Sequence, residues 1–281
     1  MSHTEIHWGS RIAKAHAVLN EAIEQYSPSQ VFGLFSGGHD SLASTSIVAK
    51  HPRFTAAVHI NTGIGIEETR KFVRSTCKEQ GWPLIELRAK EDCGQDYREL
   101  VLEYGFPGPG HHYKMYGRLK ERCLELLLRT RKRHRRDRLV FTSGCRSQES
   151  SRRMGHVEPI QNIKRSPCVV WVAPIHDWSK SDCVEYIESE GLPQNQVVRY
   201  MHMSGECLCG AYAHPGELAE IEMWYPKTAA KIKALEKEVR QRGHDRGWEE
   251  RPTPRRKASS RIPAQSLCTR CVHDEEQRGE Q

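Results

Sequence analysis

A short apolar run, a glycine pair and a helix-compatible stretch follow one another closely, and they limit the possible folds more than any other feature. Val31 to Phe35 is typical of a buried strand, and residues 41–50 are compatible with a helix. Ser36-Gly37-Gly38-His39-Asp40-Ser41 lies between them and is called the phosphate loop below. A bare Gly-Gly would favour a simple tight turn. The full string instead predicts backbone N–H groups that converge on an anion at a helix N-terminus, with Ser36 and Ser41 as hydroxyl donors.

Strand-like and helix-like segments alternate through the first two hundred residues. Further strands are expected at 55–60, 84–87, 138–142 and 168–172, and helices at 10–25, 67–80, 116–131 and after the capping box 179–182. This alternation is typical of βαβ units and a parallel sheet. We predict a doubly wound α/β domain over residues 1–200. A mainly helical, cysteine-bearing region should follow over 201–281, with a mobile basic arm at about 244–265.

Composition excludes some classes of protein. Hydrophobic residues make up 37% and charged residues 28%, and no run approaches the roughly 20 apolar residues of a membrane-spanning helix. The first five residues lack the features of a secretory signal, so a cytoplasmic location is expected. The net charge of +7 suits a polyanionic partner or a small phosphorylated substrate, and charge alone does not choose between them.

Ten cysteines in a chain without an export signal indicate metal ligation, redox work or core packing. Two close pairs, Cys207 with Cys209 and Cys268 with Cys271, could bring four thiolates together. Four thiolates suit a tetrahedral zinc ion or a [4Fe–4S] cluster. Cys145 lies beside a positive charge that would make it reactive. The remaining cysteines are interpreted as packing residues, with Cys123 also considered as a replacement ligand: Cys77, Cys93, Cys123, Cys168 and Cys183.

The phosphate loop resembles the PP-loop of the adenine-nucleotide α-hydrolases. Over about residues 30–215 the chain is similar to one branch of them, the phosphoadenosine phosphosulfate (PAPS) reductase family. The other matching segments are Asn61-Thr62-Gly63 with Glu67-Glu68-Thr69, residues 144–153, 174–178, 182–187 and 191–195. The resemblance implies an adenine-nucleotide α-hydrolase-like fold that binds ATP or PAPS with Mg²⁺.

The resemblance also assigns roles to single residues. It implies that Ser36, Gly37, Gly38, His39, Asp40 and Ser41 bind the nucleotide's phosphates. The adenine is expected against Asn61, Thr62 and Gly63. The implied catalytic residues, which orient the loop or Mg²⁺ and offset charge at the α-phosphate, are Asp40, Lys114, Arg146 and Arg153.

One departure from the family pattern bears on the reaction. A reductase of this family is expected to carry Glu-Cys-Gly-x-His near its C-terminus, and this chain has Arg270-Cys271-Val272-His273. The family also includes enzymes that cleave ATP between the α- and β-phosphates to activate a target for sulfur insertion, among them the ATP pyrophosphatases of DNA phosphorothioation. We predict this second activity. The alternatives are a sulfonucleotide reductase that releases sulfite with Cys271 as nucleophile, and a non-catalytic nucleotide sensor in a defence complex.

Cofactor and partners follow from the same reasoning. Cluster-bearing relatives favour [4Fe–4S] narrowly over zinc at Cys207, Cys209, Cys268 and Cys271. Sulfur-donor or modification-complex proteins are expected partners.

Residues 129–138 contain seven Arg or Lys. They would either follow a nucleic-acid backbone or complement a helix C-terminus, so a nucleic-acid partner is left open. The histidine-bearing loop 108–114 suits either a phosphate or solvent.

Overall fold

The computed structural model describes residues 3–149, 157–163 and 166–250. Its six strands are β1 Gln30–Leu34, β2 Phe54–Asn61, β3 Leu84–Arg88, β4 Leu139–Thr142, β5 Ile160–Asn162 and β6 Val169–Val172. Its helices are α1 His3–Tyr26, α2 His39–Ala49, α3 Glu67–Glu79, α4 Ala89–Cys93, α5 Tyr97–Tyr104, α6 His112–Tyr116, α7 Arg122–Arg131, α8 Lys180–Ser189, α9 Gln196–Met201, α10 Glu217–Trp224 and α11 Pro226–Gln241. A 3₁₀ turn, Pro109–His111, precedes α6, and a π-helical turn, Gly117–Glu121, follows it.

The strands form one sheet in the order β3-β2-β1-β4-β6-β5. Strand β1 pairs in parallel with both β2 and β4, β4 pairs in parallel with β6, and the edge strand β5 is antiparallel to β6. The predicted α/β class with a mostly parallel sheet is therefore confirmed. The chain builds outward from β1 to β3 on one side and then returns to β4 on the other. In open α/β sheets such a reversal marks the place where ligands bind, outside the carboxyl ends of the strands.

Helices α1, α2 and α8 cover one face of the sheet with two clusters of apolar side chains. Phe32 and Phe141 alternate to the other face and are also fully buried, as is usual for a parallel sheet. One cluster contains Trp8 of α1, Trp178 and Tyr186 of α8, with ring centroids 5.4–5.7 Å apart. A second cluster packs Leu19 and Val48 against buried valines of β1, β4 and β6. Helices α1, α2 and α8 thus hold the strands that position the phosphate loop.

The start of α8 follows the predicted capping box. The Ser179 hydroxyl accepts from the Asp182 N–H at 3.1 Å, and the Asp182 carboxylate accepts from the Ser179 N–H at 2.7 Å. Two donors that a helix N-terminus leaves unpaired are satisfied in this way. None of the described helices is long and apolar enough to cross a membrane.

The predicted strands and long helices are observed close to the expected positions, and the differences are local. Helix α1 begins at His3, ahead of the expected residue 10, and a π-helical turn interrupts the expected helix 116–131. Helices α5 and α10 were not predicted, and neither was β5, which has only three residues. Three residues are too few for a hydrophobic period to be recognised.

The described residues form two compact units, each made of several chain segments. The first contains those within 1–59, 72–86 and 126–195, and the second those within 60–71, 87–125 and 196–281. The phosphate loop belongs to the first unit and the cysteine pair 207–209 to the second. The domain limits 1–200 and 201–281 stay a prediction, as does the mobile arm, most of which lies outside the described residues.

Asp137 organises the basic segment that follows α7. Arg129 and Arg131 lie in the last turn of that helix, where cations complement the dipole, and residues 133–136 are exposed beyond it. The buried Asp137 carboxylate accepts from the Arg133 N–H and from the Ser29 hydroxyl, both at 2.8 Å. One carboxylate therefore holds the turn while its cationic side chains face outward.

Asp137→Ala should lower the free energy of unfolding by about 1.5–3 kcal/mol at pH 7, because two hydrogen bonds to a charged acceptor are lost. Burial raises the pKa of Asp137, but the hydrogen bonds from Arg133, Ser29 and Arg138 together lower it by more, so the folded-state pKa lies below its ordinary value. The stabilisation is thus present above the unfolded pKa of about 3.9 and is lost as pH falls through the lower folded pKa. Urea titrations at several pH values measure this. The exposed Asp177→Ala is the control, and an equal effect of both changes would contradict the prediction.

Candidate functional site

The phosphate loop joins the end of β1 to the first turn of α2. The Phe35 N–H donates to the Val58 carbonyl of β2 at 2.8 Å, which fixes the point where the loop leaves the sheet. Gly37 has φ +84°, a value that side-chain-bearing residues rarely adopt. Gly38 is the N-cap of α2 and supplies no side-chain acceptor to the first turn. The N–H groups of this turn are thus directed at the position that an anion would occupy.

Two serines brace the loop from inside. The Ser41 hydroxyl donates to the Gly38 carbonyl at 2.9 Å and accepts from the Ser36 N–H at 3.2 Å and from the Ser36 hydroxyl at 3.1 Å. The buried Asn195 amide donates to the Gly37 carbonyl at 2.9 Å. Asn195 closes the last segment of the resemblance, and its contact shows why that segment belongs with the loop. The loop conformation is therefore fixed without a ligand.

Arg146 reaches the loop from the segment after β4. Its Nη2 atom lies 3.2 Å from an Asp40 carboxylate oxygen, and its backbone N–H donates to the Glu149 carboxylate at 3.2 Å. The guanidinium is buried, and its Nε has no hydrogen-bond partner among the described residues. Strands β1 and β4 are neighbours at the reversal point of the sheet, which is why residues 106 positions apart in sequence meet.

Gly144 permits this approach. A Cβ at residue 144 would lie 2.5 Å from the Asp40 carbonyl carbon and 2.7 Å from the Ser41 backbone nitrogen. These are backbone atoms, which cannot move aside as the end of a flexible side chain can. The segment after β4 and the first turn of α2 therefore come together only because residue 144 is glycine.

Burial and charge set the protonation of the site. Burial lowers the pKa of His39 and outweighs the opposing effect of Asp40, so the imidazole is neutral near pH 7. Burial lowers the pKa of Arg146, but its acidic neighbours, Asp40 foremost and Glu149 with it, together raise the pKa by more, and the guanidinium stays charged. Burial and the Asp40 carboxylate raise the pKa of Cys183, which remains a thiol. Among the described residues, Arg146 is a buried positive charge beside the phosphate loop.

The other predicted nucleotide and catalytic residues are distributed as follows. Arg153 lies outside the described residues. Lys114 is exposed on α6 in the second unit. Asn61 ends β2, and its side chain accepts from the Gly63 N–H at 3.0 Å in a turn where Gly63 has φ +83°. The roles assigned to these residues stay predictions.

Thr62 joins the Asn-Thr-Gly segment to the residue before the first cysteine pair. Its N–H donates to the Glu206 carboxylate at 3.0 Å and its hydroxyl donates to the Glu206 carbonyl at 2.8 Å. Glu206 is buried and pairs with the equally buried Arg70, with Nε and a carboxylate oxygen 3.6 Å apart. Gly65 allows the chains to touch, since a Cβ there would lie 2.6 Å from the Glu206 carbonyl oxygen. This buried network fixes the backbone that enters Cys207.

In the folded chain, Cys207 and Cys209 lie close to a histidine that was not predicted to be near them. Ligand atoms of His112, Cys207 and Cys209 all lie within 4.8 Å of one another. Cys268 and Cys271 lie outside the described residues. The histidine-bearing segment 108–114 was considered as a phosphate-gripping or solvated loop. His112 is instead buried at the start of α6, whereas its neighbour His111 is exposed. No sequence signal links residues 112 and 207, because only the tertiary fold brings them together.

The remaining described cysteines mostly serve packing. Cys77, Cys123 and Cys183 are buried, whereas Cys93, Cys145 and Cys168 are half-buried. Burial raises the pKa of Cys77 to about 12. The sulfurs of Cys93 and Cys123 lie 3.6 Å apart.

Comparisons with known proteins identify the family of this chain. The family model described as "Phosphoadenosine phosphosulfate reductase domain" matches residues 30–204. The chain belongs to this family. Its matched segment begins at β1 and contains the phosphate loop, Gly144 and Arg146. No curated protein is similar enough to count as a relative.

Several solved structures share the fold. A PAPS reductase from Candida auris in a phosphate complex is 15% identical, with a TM-score of 0.50, over 71% of this chain and 92% of that one. A Candida glabrata FMN adenylyltransferase with FAD and pyrophosphate is 16% identical, with a TM-score of 0.47, over 68% and 60%. The U34-tRNA thiolase NcsA of Methanococcus maripaludis with its [4Fe-4S] cluster is 14% identical, with a TM-score of 0.42, over 84% and 80%. At 15% identity, the likeness to the PAPS reductase structure shows the fold alone.

Proposed function

We propose that this member of the PAPS reductase family cleaves ATP at the α-phosphate and so activates a target for sulfur transfer, as in DNA phosphorothioation. An oxygen of the target attacks the α-phosphorus, the bond from that phosphorus to the α–β bridging oxygen breaks, and pyrophosphate leaves with the electron pair. The target then carries AMP, which a sulfur nucleophile displaces in a later step. Mg²⁺ bound with ATP would neutralise phosphate charge.

The observation that carries the proposal is the phosphate loop with Arg146 beside it. The uncapped first turn of α2 offers N–H donors, and Ser36 and Ser41 hold the loop in shape. Arg146 is a buried cation whose Nε has no hydrogen-bond partner among the described residues and lies 4.0 Å from a Glu149 carboxylate oxygen. Buried donors of this kind stabilise the negative charge that develops on the oxygens around a reacting phosphorus, since they act where water is scarce.

Asp40 has two roles in the proposal. In the absence of nucleotide it pairs with Arg146 and balances that buried charge. With nucleotide bound, its carboxylate is available to orient the loop or Mg²⁺ while Arg146 contacts the α-phosphate. Asn61, Thr62 and Gly63 are proposed to contact the adenine, and Lys114 and Arg153 to offset phosphate charge.

The sequence after residue 250 favours the proposal over PAPS reduction. Arg270-Cys271-Val272-His273 stands where the expected reductase sequence would be Glu-Cys-Gly-x-His. A reductase needs the cysteine as a nucleophile towards sulfur, whereas cleavage of ATP at the α-phosphate does not. The exposed cations of residues 133–136 are a suitable contact for a DNA backbone, which makes DNA a reasonable acceptor to test.

The test compares two substrates directly. Purified protein with Mg²⁺ and a dithiol reductant, which supplies the two electrons that sulfite release requires, is given ATP or PAPS, each with and without DNA, and pyrophosphate and sulfite are measured. We expect pyrophosphate from ATP and no sulfite from PAPS. Cys271→Ser should leave pyrophosphate release unchanged.

Two other outcomes would each support one of the alternative functions. Sulfite release that disappears in Cys271→Ser would establish the reductase and contradict the proposal. Tight ATP binding without turnover under all conditions would favour the nucleotide sensor.

A further inference from the structure

We propose that His112, Cys207 and Cys209 bind a single zinc ion, so that the metal site contains an imidazole as well as thiolates. This site belongs wholly to the second unit and does not depend on the reaction at the phosphate loop. Its ligands differ from those of the four-thiolate site expected from the sequence. It also holds one metal atom, whereas a [4Fe–4S] cluster holds four iron atoms.

The three ligand atoms are already close to the spacing of a zinc site. They lie within 4.8 Å of one another. Zinc bonds of about 2.3 Å to sulfur and 2.0–2.1 Å to nitrogen place tetrahedral ligand atoms about 3.5–3.8 Å apart. Small side-chain rotations close this difference. In a [4Fe–4S] cluster each cysteine binds a different iron, which requires a wider spacing of the sulfurs.

The backbone between the two cysteines is held in place from both sides. The Trp248 indole N–H donates to the Leu208 carbonyl at 2.9 Å, and the Tyr97 hydroxyl donates to the Cys209 carbonyl at 3.0 Å. Gly210 has φ +78°, and a Cβ there would lie 2.8 Å from the Trp248 ring and its carbonyl oxygen. Both thiols are therefore presented by a turn that is fixed before any metal binds, which lowers the entropy cost of ligation.

The imidazole is oriented by aromatic neighbours. The His112 ring is only 4% exposed and lies edge-on to Tyr212, with centroids 5.3 Å apart, and beside Tyr116 at 6.2 Å. A zinc-binding histidine needs a fixed ring plane, and packing of this kind supplies it. His111, the preceding residue, is exposed.

The space beside these ligands fits one ion. The cavity that they line has a volume of about 20 Å³, and Glu217 and Trp248 also form its wall. A single water needs about 10–15 Å³ by the same measure, so one small ion fits. Two sulfurs and an imidazole nitrogen are a ligand set that zinc favours, because zinc accepts soft and borderline donors together.

The first experiment needs no variant. Protein purified without oxygen should be colourless and contain about one zinc per chain. X-ray absorption at the zinc edge should show two or three sulfurs at about 2.3 Å and at least one imidazole nitrogen at about 2.0–2.1 Å. Two or three sulfurs both support the proposal as long as the nitrogen is present, because the imidazole is what distinguishes this site from four thiolates. A shell of four sulfurs, brown protein with about four irons per chain, or protein without metal would each overturn it.

Matched variants identify the ligands. His112→Asn, Cys207→Ser and Cys209→Ser should each lose at least about tenfold in zinc affinity, measured by competition with a chelator. His111→Asn and Cys168→Ser are the controls, because they make the same chemical changes at residues outside the cluster. Zinc affinity in His112→Asn equal to that of the unchanged protein would refute the role of the imidazole. If His112→Asn does not fold, the absorption spectrum of the unchanged protein still decides between nitrogen and four sulfurs.

Discussion

Asp40→Asn is expected to slow pyrophosphate release from ATP by about 10²- to 10³-fold while the melting temperature changes little. The amide keeps the shape of the side chain and can still accept a hydrogen bond from Arg146, which lies 3.2 Å away. It removes the negative charge that positions the loop or Mg²⁺. Asn is preferred to Ala because Arg146 is buried, and loss of its acceptor would also reduce stability.

Asp177→Asn is the matched control for this change. Asp177 lies in the same unit, its side chain is 48% exposed, and it forms an ion pair with Lys14 at the surface. Pyrophosphate release and thermal melting are measured on both proteins. Full activity in Asp40→Asn would refute the assignment of the phosphate loop.

Ser41→Ala tests whether the Ser41 hydroxyl holds the same loop in shape. Because Ser41 is buried, we expect a stability loss of about 1 kcal/mol as well as lower activity.

Gly144→Ala should reduce both stability and activity, although it adds only a methyl group. The new Cβ would lie 2.5–2.7 Å from backbone atoms of Asp40 and Ser41, so either the segment after β4 or the first turn of α2 must shift. Overpacking of this kind costs about 1–3 kcal/mol. Movement of the phosphate loop by about 1 Å would slow the reaction by about 10²-fold.

Gly9→Ala makes the same chemical change without the clash. Gly9 lies within α1, and a Cβ there would have no atom within 4 Å. Alanine should raise stability by about 0.5–1 kcal/mol because it favours the helix. Urea unfolding and pyrophosphate release are compared for the two variants. If Gly144→Ala behaves like Gly9→Ala in both measurements, the close approach of the two segments has no functional role.

Much of the fold could be predicted because its signals are local. Residues 30–49 contain an apolar run, two glycines and a helix within one short segment, and the structure forms β1, the loop and α2 there. The capping box at Ser179 was equally local. The antiparallel strand β5 could not be found this way, since three residues carry no recognisable period and their pairing with β6 depends on the rest of the sheet.

The sequence by itself determined the family, the parallel sheet and the position of the phosphate loop, because each rests on residues adjacent along the chain. Only the tertiary structure decided that Arg146 pairs with Asp40 and that His112 joins Cys207 and Cys209. These contacts link residues about a hundred positions apart, and they form where the sheet reverses direction and where buried side chains pack. A histidine looks the same in sequence whether it faces solvent or a pair of thiols. Its burial and its neighbours, which decide its chemistry, are properties of the folded chain.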